Sequence, residues 1–395
     1  MGYIVAMTQT TPNLIDMIAA LIGTPSVSSV DPALDQGNRG VIDLLANWLG
    51  DLGFAVEVMP LPGEPGKANL VATLGSGPGG LVLSGHTDTV PYDEGKWQTD
   101  PFKLTEANQR LYGLGTSDMK SFLALAIEAS RGLSASDLKE PLILLATADE
   151  ESTMLGARDL VERNTLHARY AVIGEPTGLR PVRMHKGILM EAIQLQGRSG
   201  HSSDPSLGIS ALEAMHTVIS TLKDWRTELQ ENNRNPFFAV PVPTLNLGHI
   251  HGGDNPNRIC ADCELQIDLR PLPGMDLQEL RGEMQHRILA ATEGSGIKTV
   301  FQSLFDGTPA METPEEAEII QLTQKLTGQT AAAVAFGTEA PYLQQLGMQT
   351  VILGPGDIDQ AHQPDEYLGL DRIKPSIDIL KQLVNTICVS GNRLL

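Results

Sequence analysis

The stretch Leu81-Val-Leu-Ser-Gly-His86-Thr-Asp88 is an apolar run that passes directly into a histidine and an aspartate. Three other apolar runs, at residues 142–147, 171–174 and 350–354, likewise lead into acidic or histidine side chains. Short apolar runs bounded by turn residues are typical of strands that are buried on both faces of a sheet. Because ligands bind at the carboxyl ends of such strands, these endings predict one functional site at one edge of a sheet.

Segments with helical periodicity lie between these strands. Apolar residues recur at three-to-four spacing in residues 14–22 and 41–52, and further helical patterns cover residues 120–133 and 156–163. Helices that alternate with buried strands are typical of an α/β protein. We therefore predict an α/β fold in which helices cover both faces of a sheet.

The pattern changes in the middle of the chain. Three segments read as half-buried strands and two as helices, in the order 187–196, 209–228, 245–251, 258–269 and 277–292. Helices set against antiparallel strands predict a smaller, inserted α+β domain. The predicted division is 1–181 for the first part of the main domain, 182–305 for the insert and 306–395 for the second part of the main domain.

The charge of the chain argues against a nucleic-acid partner. Among 395 residues, 28 Lys and Arg face 48 Asp and Glu, so the net charge of -20 repels phosphate backbones. No run approaches the roughly 18 apolar residues of a membrane span, so we predict no membrane contact. No Lys or Arg precedes Arg39, so no signal or transit peptide is expected. The predicted location is the cytoplasm, with Met1 or Met7 as the native start.

The cysteines fit a reducing compartment. Their number, three, is odd and too small for a disulfide framework. Cys260 and Cys263 lie three residues apart without a second pair nearby, so ordinary packing is expected rather than a zinc knuckle.

The strand ends and the loops after them supply the candidate metal ligands His86, Glu151, Glu175 and His362, and a fifth candidate, Asp118, directly precedes the helical pattern at residues 120–133. Each type has a structural alternative, because a buried histidine can bond a carbonyl, an aspartate before a helix can cap it and a glutamate can be an ordinary loop carboxylate. Together, two histidines and three carboxylates favour two divalent cations with zinc or cobalt chemistry, since nitrogen ligands argue against calcium and magnesium.

Two more acidic residues accompany these ligands. Glu150 directly precedes Glu151, and two like charges at a buried strand end repel each other unless a cation or a proton intervenes. The pair predicts one metal ligand and one neighbouring base. Asp88 lies two residues after His86 on an extended chain, hence on the same side, where a carboxylate can orient the imidazole.

The candidate ligands lie in motifs that occur together in one known family. The motifs are Ser84-Gly-His-Thr-Asp-Thr-Val-Pro91, Gly113-Leu-Gly-Thr-Ser-Asp118-Met-Lys, Asp149-Glu-Glu151, Gly174-Glu-Pro-Thr177 and the late His362, with further motifs at 244–253, 268–274, 338–341 and 360–367. From about residue 14 to the C-terminus, the chain resembles the co-catalytic zinc aminoacylase and carboxypeptidase family.

The resemblance implies an architecture and a metal centre. It implies a zinc-peptidase-like main domain built on a mixed sheet, and an inserted α+β domain that serves as a lid and forms a homodimer. It also implies that Asp118 bridges two Zn²⁺ ions, for which Co²⁺ can substitute. His86 and Glu175 would bind one ion, and Glu151 and His362 the other.

The resemblance further implies an activity, which is hydrolysis of the amide bond of an N-acyl amino acid. Glu150 becomes the general base and Asp88 the carboxylate behind His86. His201 matches a lid histidine that steadies the substrate carbonyl in the partner subunit's site, and its alternative is a polar loop histidine. The expected substrate is Nα-acetyl-L-ornithine, in arginine biosynthesis.

Recognition of that substrate is expected to involve residues outside the metal motifs. Arg258, in the turn that begins at Asn255, offers a bidentate fork for the α-carboxylate, although it also fits an ordinary surface turn. Glu339 fits the side-chain ammonium, or else a helix start favoured by the dipole. A broader deacylase, a desuccinylase and a dipeptidase stay open as alternatives within the family, and a catalytically silent metal-binding dimer stays open outside the enzymes.

Overall fold

The computed structural model of the protein describes residues 11–391, so the alternative start at Met7 lies outside the described residues. The strands are β1 Ala55–Leu61, β2 Glu64–Leu74, β3 Leu81–His86, β4 Thr105–Ala107, β5 Arg110–Tyr112, β6 Leu142–Thr147, β7 Tyr170–Pro176, β8 Val182–His185, β9 Ile188–Gln196, β10 Thr244–Gly252, β11 Asp262–Arg270, β12 Lys298–Thr308, β13 Met311–Glu312, β14 Ala332–Val334, β15 Gln349–Gly354 and β16 Tyr367–Gly369. The α-helices are α1 Leu14–Ile22, α2 Arg39–Asp51, α3 Lys120–Ser130, α4 Leu155–Arg163, α5 Ala211–Asn232, α6 Leu277–Thr292, α7 Glu318–Thr327, α8 Ala340–Gln345 and α9 Leu370–Val384.

The described chain divides into two compact units. The first unit comprises residues 11–183, 313–332 and 338–391, and the second comprises Met184–Glu312 with Ala333–Gly337. The chain thus leaves the first unit, builds the second and returns. The role of the predicted insert, 182–305, as a lid and dimerisation domain stays a prediction.

The first unit is built on a mixed sheet. Its strands run in the order β1-β2-β6-β3-β7-β15, and the neighbours among β6, β3, β7 and β15 pair in parallel. The hairpin β1–β2 is antiparallel and joins the sheet through an antiparallel pairing of β2 with β6. The prediction of a mixed α/β fold is therefore confirmed.

The central strands are buried on both faces, as their apolar sequences predict. In β3, Leu81 and Leu83 belong to the core that also includes side chains of α1, α2, α3, α7 and α9. Val82 between them is equally buried, and successive strand side chains point to opposite faces. Every residue of β3, β6 and β7 is buried, so the sheet forms the middle layer of this unit.

The parallel strands bring the candidate ligands to one edge. The order β6-β3-β7 places three strands side by side in the same direction, so their carboxyl ends meet there. His86 ends β3, the acidic turn at residues 149–151 follows β6, and Glu175 lies near the end of β7. Asp118 comes just before α3, which packs against β3 and β6.

A small three-stranded sheet, in the order β16-β5-β4, fixes the segment that follows His362. Tyr367 of β16 pairs with Tyr112 of β5, and the ring centroids of these two tyrosines are 5.6 Å apart. The guanidinium carbon of Arg110 lies 3.9 Å from the centroid of the Tyr367 ring, a cation–π contact. Residues far apart in the sequence are thereby joined.

The second unit is an α+β structure. Its antiparallel sheet has the order β10-β11-β9-β12, and the buried faces of α5 and α6 join the strands in one core. Strand β11 alternates buried and half-buried residues, as its sequence predicts. Cys263 lies in this core and Cys260 packs against it. Strand β12 was absent from the sequence prediction, because most of its residues are exposed or half-buried and it has no clear apolar alternation.

Between residues 11 and 391, no helix is both long enough and apolar enough to cross a membrane.

Candidate metal centre

One group of possible ligands surrounds the end of β3. The Nε2 atom of His86 lies 3.1 Å from Oδ1 of Asp118 and 3.7 Å from Oε1 of Glu175. All three side chains are buried, and one ligand atom from each lies within 4.8 Å of the others. The spacing of these atoms is compatible with a single cation between them.

A second group shares Asp118 with the first. The Nε2 atom of His362 lies 3.6 Å from Oδ2 of Asp118 and 3.1 Å from Oε2 of Glu151. The ligand atoms of these three residues are again within 4.8 Å of one another. Each oxygen of Asp118 thus faces a different group, which is the arrangement of a bridging carboxylate. The structure brings together all five residues that the sequence singled out as ligands.

The chemistry of this donor set fits divalent cations. Oε1 of Glu175 is buried and accepts no hydrogen bond from any residue between 11 and 391. Burial, followed by the charges of Asp118 and Glu150, holds the pKa of Glu175 well above its usual range. A buried carboxylate with a free oxygen and like charges nearby needs positive charge beside it. Imidazole and carboxylate donors together suit zinc or a similar metal.

Glu150 belongs to neither group, but its charge interacts with those of His86, Asp118 and Glu151. Burial raises the pKa of Glu150 well above the ordinary value, and the negative charges of Glu151, Asp88 and Asp118 raise it further. The charge of His86 acts in the opposite direction and lowers it. Glu151 contacts His362 directly, and the role of Glu150 as the base stays a prediction.

The position of Asp88 differs in part from the expectation. The nearest contact of His86 Nδ1 is the backbone carbonyl of Asp88, at 3.0 Å, while the Asp88 carboxylate is 3.7 Å away. That carboxylate instead accepts the backbone N–H of Glu151 at 3.0 Å. Asp88 therefore connects His86 with the acidic turn, and the carbonyl is the closer acceptor for the imidazole N–H.

Buried ion pairs fix the first residue of the acidic turn, Asp149. Asp149 has a φ of 58°, a left-handed conformation that turns the chain sharply after β6. The ammonium of Lys67 lies 2.8 Å from carboxylate oxygens of both Asp149 and Asp35. Ser28 also donates to Asp149, at 2.9 Å. These contacts fix Asp149, and Glu150 and Glu151 are the next two residues of the chain.

Two buried charged residues near Asp118 were not assigned roles from the sequence. Glu366 accepts backbone N–H groups of the loop that ends at Asp118, and burial raises its pKa to about 8. Lys120 donates to the carbonyl of Thr24 and to Ser26, and burial lowers its pKa to about 7. Both lie inside motifs of the sequence, but their partners are distant in the chain, so no local pattern signals their contacts.

Glu339 is a buried carboxylate that directly precedes α8. It is 1% exposed, and its carboxylate accepts hydrogen bonds from the hydroxyls of Ser84 on β3 and Thr147 on β6. Both oxygens are therefore occupied by protein donors in this structure. The role of Glu339 in binding a substrate ammonium stays a prediction, and the hydroxyl contacts are a competing use of its charge.

The second unit carries the other predicted residues. Arg258 is exposed, ends the turn whose first residue is Asn255, and donates to Asp254 at 2.6 Å. His201 is also exposed and forms an isolated β-bridge with Arg258. The Nδ1 atom of His201 lies 2.7 Å from the hydroxyl of Ser203. The structure thus places His201, Asn255 and Arg258 near one another within this unit, and their catalytic and binding roles stay predictions.

Comparison with known proteins identifies the family. The model described as peptidase family M20/M25/M40 matches residues 82–386. The chain belongs to peptidase family M20/M25/M40. A protein of Pasteurella multocida (strain Pm70) that is named acetylornithine deacetylase is 49% identical to this M20-family chain over 377 residues, which cover 95% of the chain and 98% of that protein. The resemblance inferred from the motifs is confirmed.

Solved structures of the same family share the fold. An M20-family metallo-carboxypeptidase from Sulfolobus solfataricus has a TM-score of 0.75 and 19% identity, covering 94% of this chain and 98% of its own. A dinuclear metal-binding peptidase of the M20 family from Bacillus subtilis has a TM-score of 0.67 and 16% identity, covering 96% of this chain and 98% of its own. At these identities the likeness concerns the fold.

Proposed function

We propose that this M20-family protein hydrolyses the amide bond of Nα-acetyl-L-ornithine to L-ornithine and acetate, a step of arginine biosynthesis in the cytoplasm. The observation that carries the hydrolytic part is the pair of ligand groups that share Asp118 at the edge of the sheet. The acetylornithine part is supported by the near-full-length similarity to a protein named acetylornithine deacetylase.

The site would hold two divalent cations, with Zn²⁺ as the proposed metal and Co²⁺ as a working substitute. His86 and Glu175 would bind one cation, Glu151 and His362 the other, and Asp118 both. When bound, such cations act as Lewis acids that make water nucleophilic near neutral pH and polarise a carbonyl oxygen.

Glu150 is the proposed general base. It removes a proton from the attacking water and returns it to the departing amine, so that one carboxylate serves both halves of the reaction. This role is supported because Glu150 belongs to neither ligand group, while its charge interacts with members of both. His201 is proposed to steady the substrate carbonyl across a homodimer formed through the second unit.

A matched pair of variants tests this assignment. Glu150→Gln keeps the shape of the side chain, so we expect it to bind two Zn²⁺ and to lose about 10²- to 10⁴-fold in kcat. Glu151→Gln removes a ligand, so we expect it to bind fewer ions. Metal content and kcat are measured on the same samples. If Glu150→Gln loses the metal while Glu151→Gln retains it, the two roles are exchanged.

Substrate preference is tested with the metal-loaded protein. Initial rates are compared on Nα-acetyl-L-ornithine, N-succinyl-diaminopimelate and acetyl-methionine, each with a chelated control. A chelator-sensitive preference for acetylornithine supports the proposal. Equal rates would leave a broader N-acyl-amino-acid deacylase, and hydrolysis of none of them with two metals bound would favour a silent metal-binding protein.

Recognition of the two ends of acetylornithine is tested separately. Arg258→Lys keeps the charge but loses the bidentate fork, so we expect KM to rise while kcat changes less. Glu339→Gln is expected to reduce selectivity for acetylornithine over acetyl-leucine. An unchanged ratio would assign Glu339 to its contacts with Ser84 and Thr147 alone.

A further inference from the structure

Glu366 is a buried carboxylate that gathers the backbone of the Asp118 loop. It is 1% exposed. Its Oε1 atom accepts the N–H groups of Ser117 at 2.7 Å, Asp118 at 3.0 Å and Gly115 at 3.1 Å. The N–H of Gly115 also lies 3.1 Å from Oε2. Three backbone donors of one loop therefore converge on a single side chain.

The loop cannot satisfy these donors by itself. Residues 113–119 lie between β5 and α3 and form neither helix nor strand. Buried N–H groups without acceptors destabilise a fold. Gly115 has a φ of 87°, and a Cβ there would lie 2.9 Å from Cδ of Lys120, so the loop is also tightly enclosed. Its conformation depends on an acceptor supplied from elsewhere in the chain.

The same acceptor is linked to His362 through the chain. Glu366 follows His362 by four residues, and the backbone carbonyl of Glu366 accepts the N–H of Gly113 at 3.0 Å. At the other end of the His362 loop, Asp357 donates its N–H to the hydroxyl of Ser117 at 3.0 Å. The loop that carries His362 is therefore tied at both ends to the loop that carries Asp118.

The two ligand groups differ in their dependence on these ties. His86 and Glu175 lie on β3 and β7, whose positions the central sheet determines. Glu151 lies in a turn and His362 in a loop, and the His362 backbone has a φ of 58°. The group formed by Asp118, Glu151 and His362 therefore relies more on side-chain contacts for its geometry.

We propose that Glu366 is a positioning residue that sets the distance between Asp118 and His362 for the cation they share. The inference rests on the proposed two-metal site. Residues behind metal ligands typically contribute about 10- to 100-fold to metal affinity, because they fix the orientation of the ligands. The loss of Glu366 should therefore affect one cation far more than the other.

The test uses the full chain with its metal removed and then titrated with Zn²⁺ in a calorimeter. Glu366→Met keeps the length of the side chain but offers no oxygen, and Glu366→Gln restores a carbonyl oxygen for the three N–H groups. Glu106→Met is the matched control, since Glu106 is exposed on β4 of the neighbouring small sheet. The Co²⁺ absorption spectrum of each variant reports the geometry at the two cations.

We expect Glu366→Met to bind one of the two cations about 10- to 100-fold less tightly, with an altered Co²⁺ spectrum and little change in the affinity for the other cation. Glu366→Gln should recover most of this loss, and Glu106→Met should match the wild type. Wild-type affinities for both cations in Glu366→Met would overturn the inference. A lower urea midpoint without any change in metal affinity would also overturn it, because it would show only structural support.

A second measurement covers the case in which Glu366→Met does not fold. In the metal-free wild type, the amides of Ser117 and Asp118 should exchange with deuterium slowly if Glu366 holds them, and fast exchange there overturns the inference. Failure of the proposed function is distinguishable. A wild type that binds two Zn²⁺ without hydrolysing acetylornithine leaves the role of Glu366 standing, whereas one that binds fewer than two overturns both.

Discussion

The buried ammonium of Lys67 pairs with Asp149, the first residue of the acidic turn. Its removal should lower the free energy of unfolding. The Lys67 side chain is 8% exposed, and Nζ lies 2.8 Å from Asp149 Oδ1 and 2.8 Å from Asp35 Oδ2. Lys67→Met keeps most of the aliphatic stem and removes the charge. Asp149 then remains buried next to Glu150, without a cation.

The size of the effect follows from the geometry. At 2.8 Å and an effective dielectric constant of about 20, each ion pair has an attraction of about 6 kcal/mol before desolvation is subtracted. Breaking a buried pair on one side costs about 3–5 kcal/mol in practice. Asp35 is partly exposed and can be hydrated again, and Ser28 still donates to Asp149. We therefore expect a loss of about 3 kcal/mol.

The assay must report the first unit alone. The tryptophans are Trp48, Trp97 and Trp225, of which only Trp225 lies in the second unit. Urea unfolding of metal-free protein in a Trp225→Phe background, followed by tryptophan fluorescence, therefore gives the free energy of unfolding of the first unit.

The pH of the assay follows from the sign of the pKa shift. Burial lowers the pKa of Lys67, but the hydrogen bonds and charges of Asp149 and Asp35 outweigh burial and raise it. The contribution is therefore complete below the unfolded pKa of about 10.4 and is lost only as the pH rises beyond it. A measurement at pH 8 should show the full effect.

A double variant isolates the charge. Adding Asp149→Asn to Lys67→Met removes the uncompensated carboxylate, so it should recover part of the lost stability even though a second group is changed. A loss below about 1 kcal/mol for Lys67→Met, or a further loss on adding Asp149→Asn, would refute the reasoning.

Three other outcomes are expected. A Cβ at Gly174 would lie 2.0 Å from Cγ of Phe122. Gly174→Ala should therefore lower the free energy of unfolding by ~3 kcal/mol or more, since ~3 kcal/mol is the upper end for ordinary overpacking. A urea midpoint equal to that of the wild type would contradict this. Burial lowers the pKa of His185 to about 4, so the stability it contributes is complete above pH ~6.5 and falls as the pH drops toward 4. With Trp48 and Trp97 changed to Phe, unfolding followed through Trp225 should then show the protein that keeps His185 losing about 3 kcal/mol more than His185→Gln between pH 7 and 4, and parallel curves would exclude the effect. Chelation of the metals should lower the thermal midpoint, since a cation at 100 times its Kd stabilises by about 2.7 kcal/mol, and a midpoint insensitive to chelator would argue against a loaded site.

The sequence was most informative where structure and chemistry follow from neighbouring residues. The ends of β3, β6 and β7 were predictable because buried strands are apolar and their last residues are not. His86, Glu151 and Glu175 could be selected on that basis, whereas Asp118 and His362 came from the loops, and all five meet at one edge. The α/β class followed from the same alternation of helices and strands, and the mixed sheet followed from the family resemblance.

The features that were missed depend on partners distant in the sequence. The hydrogen bond from Ser117 to Glu366 joins residues 249 apart, and nothing near either residue indicates it. The hydroxyl partners of Glu339 lie on two different strands. Strand β12 is defined by its pairing with β9 rather than by apolar alternation of its own. Such contacts become visible only once the chain is folded.

The separation of His362 from the other ligands in the sequence determines when the site can form during synthesis of the protein. His362 meets Glu151 across 211 residues, and the segment that carries it comes near the end of the chain. At about 5–20 residues per second, a ribosome would finish the first four ligands well before His362 emerges. The proposed two-cation site therefore stays incomplete during synthesis until the segment that carries His362 has been made, and both cations can be held only after this loop has folded against Glu151 and Asp118.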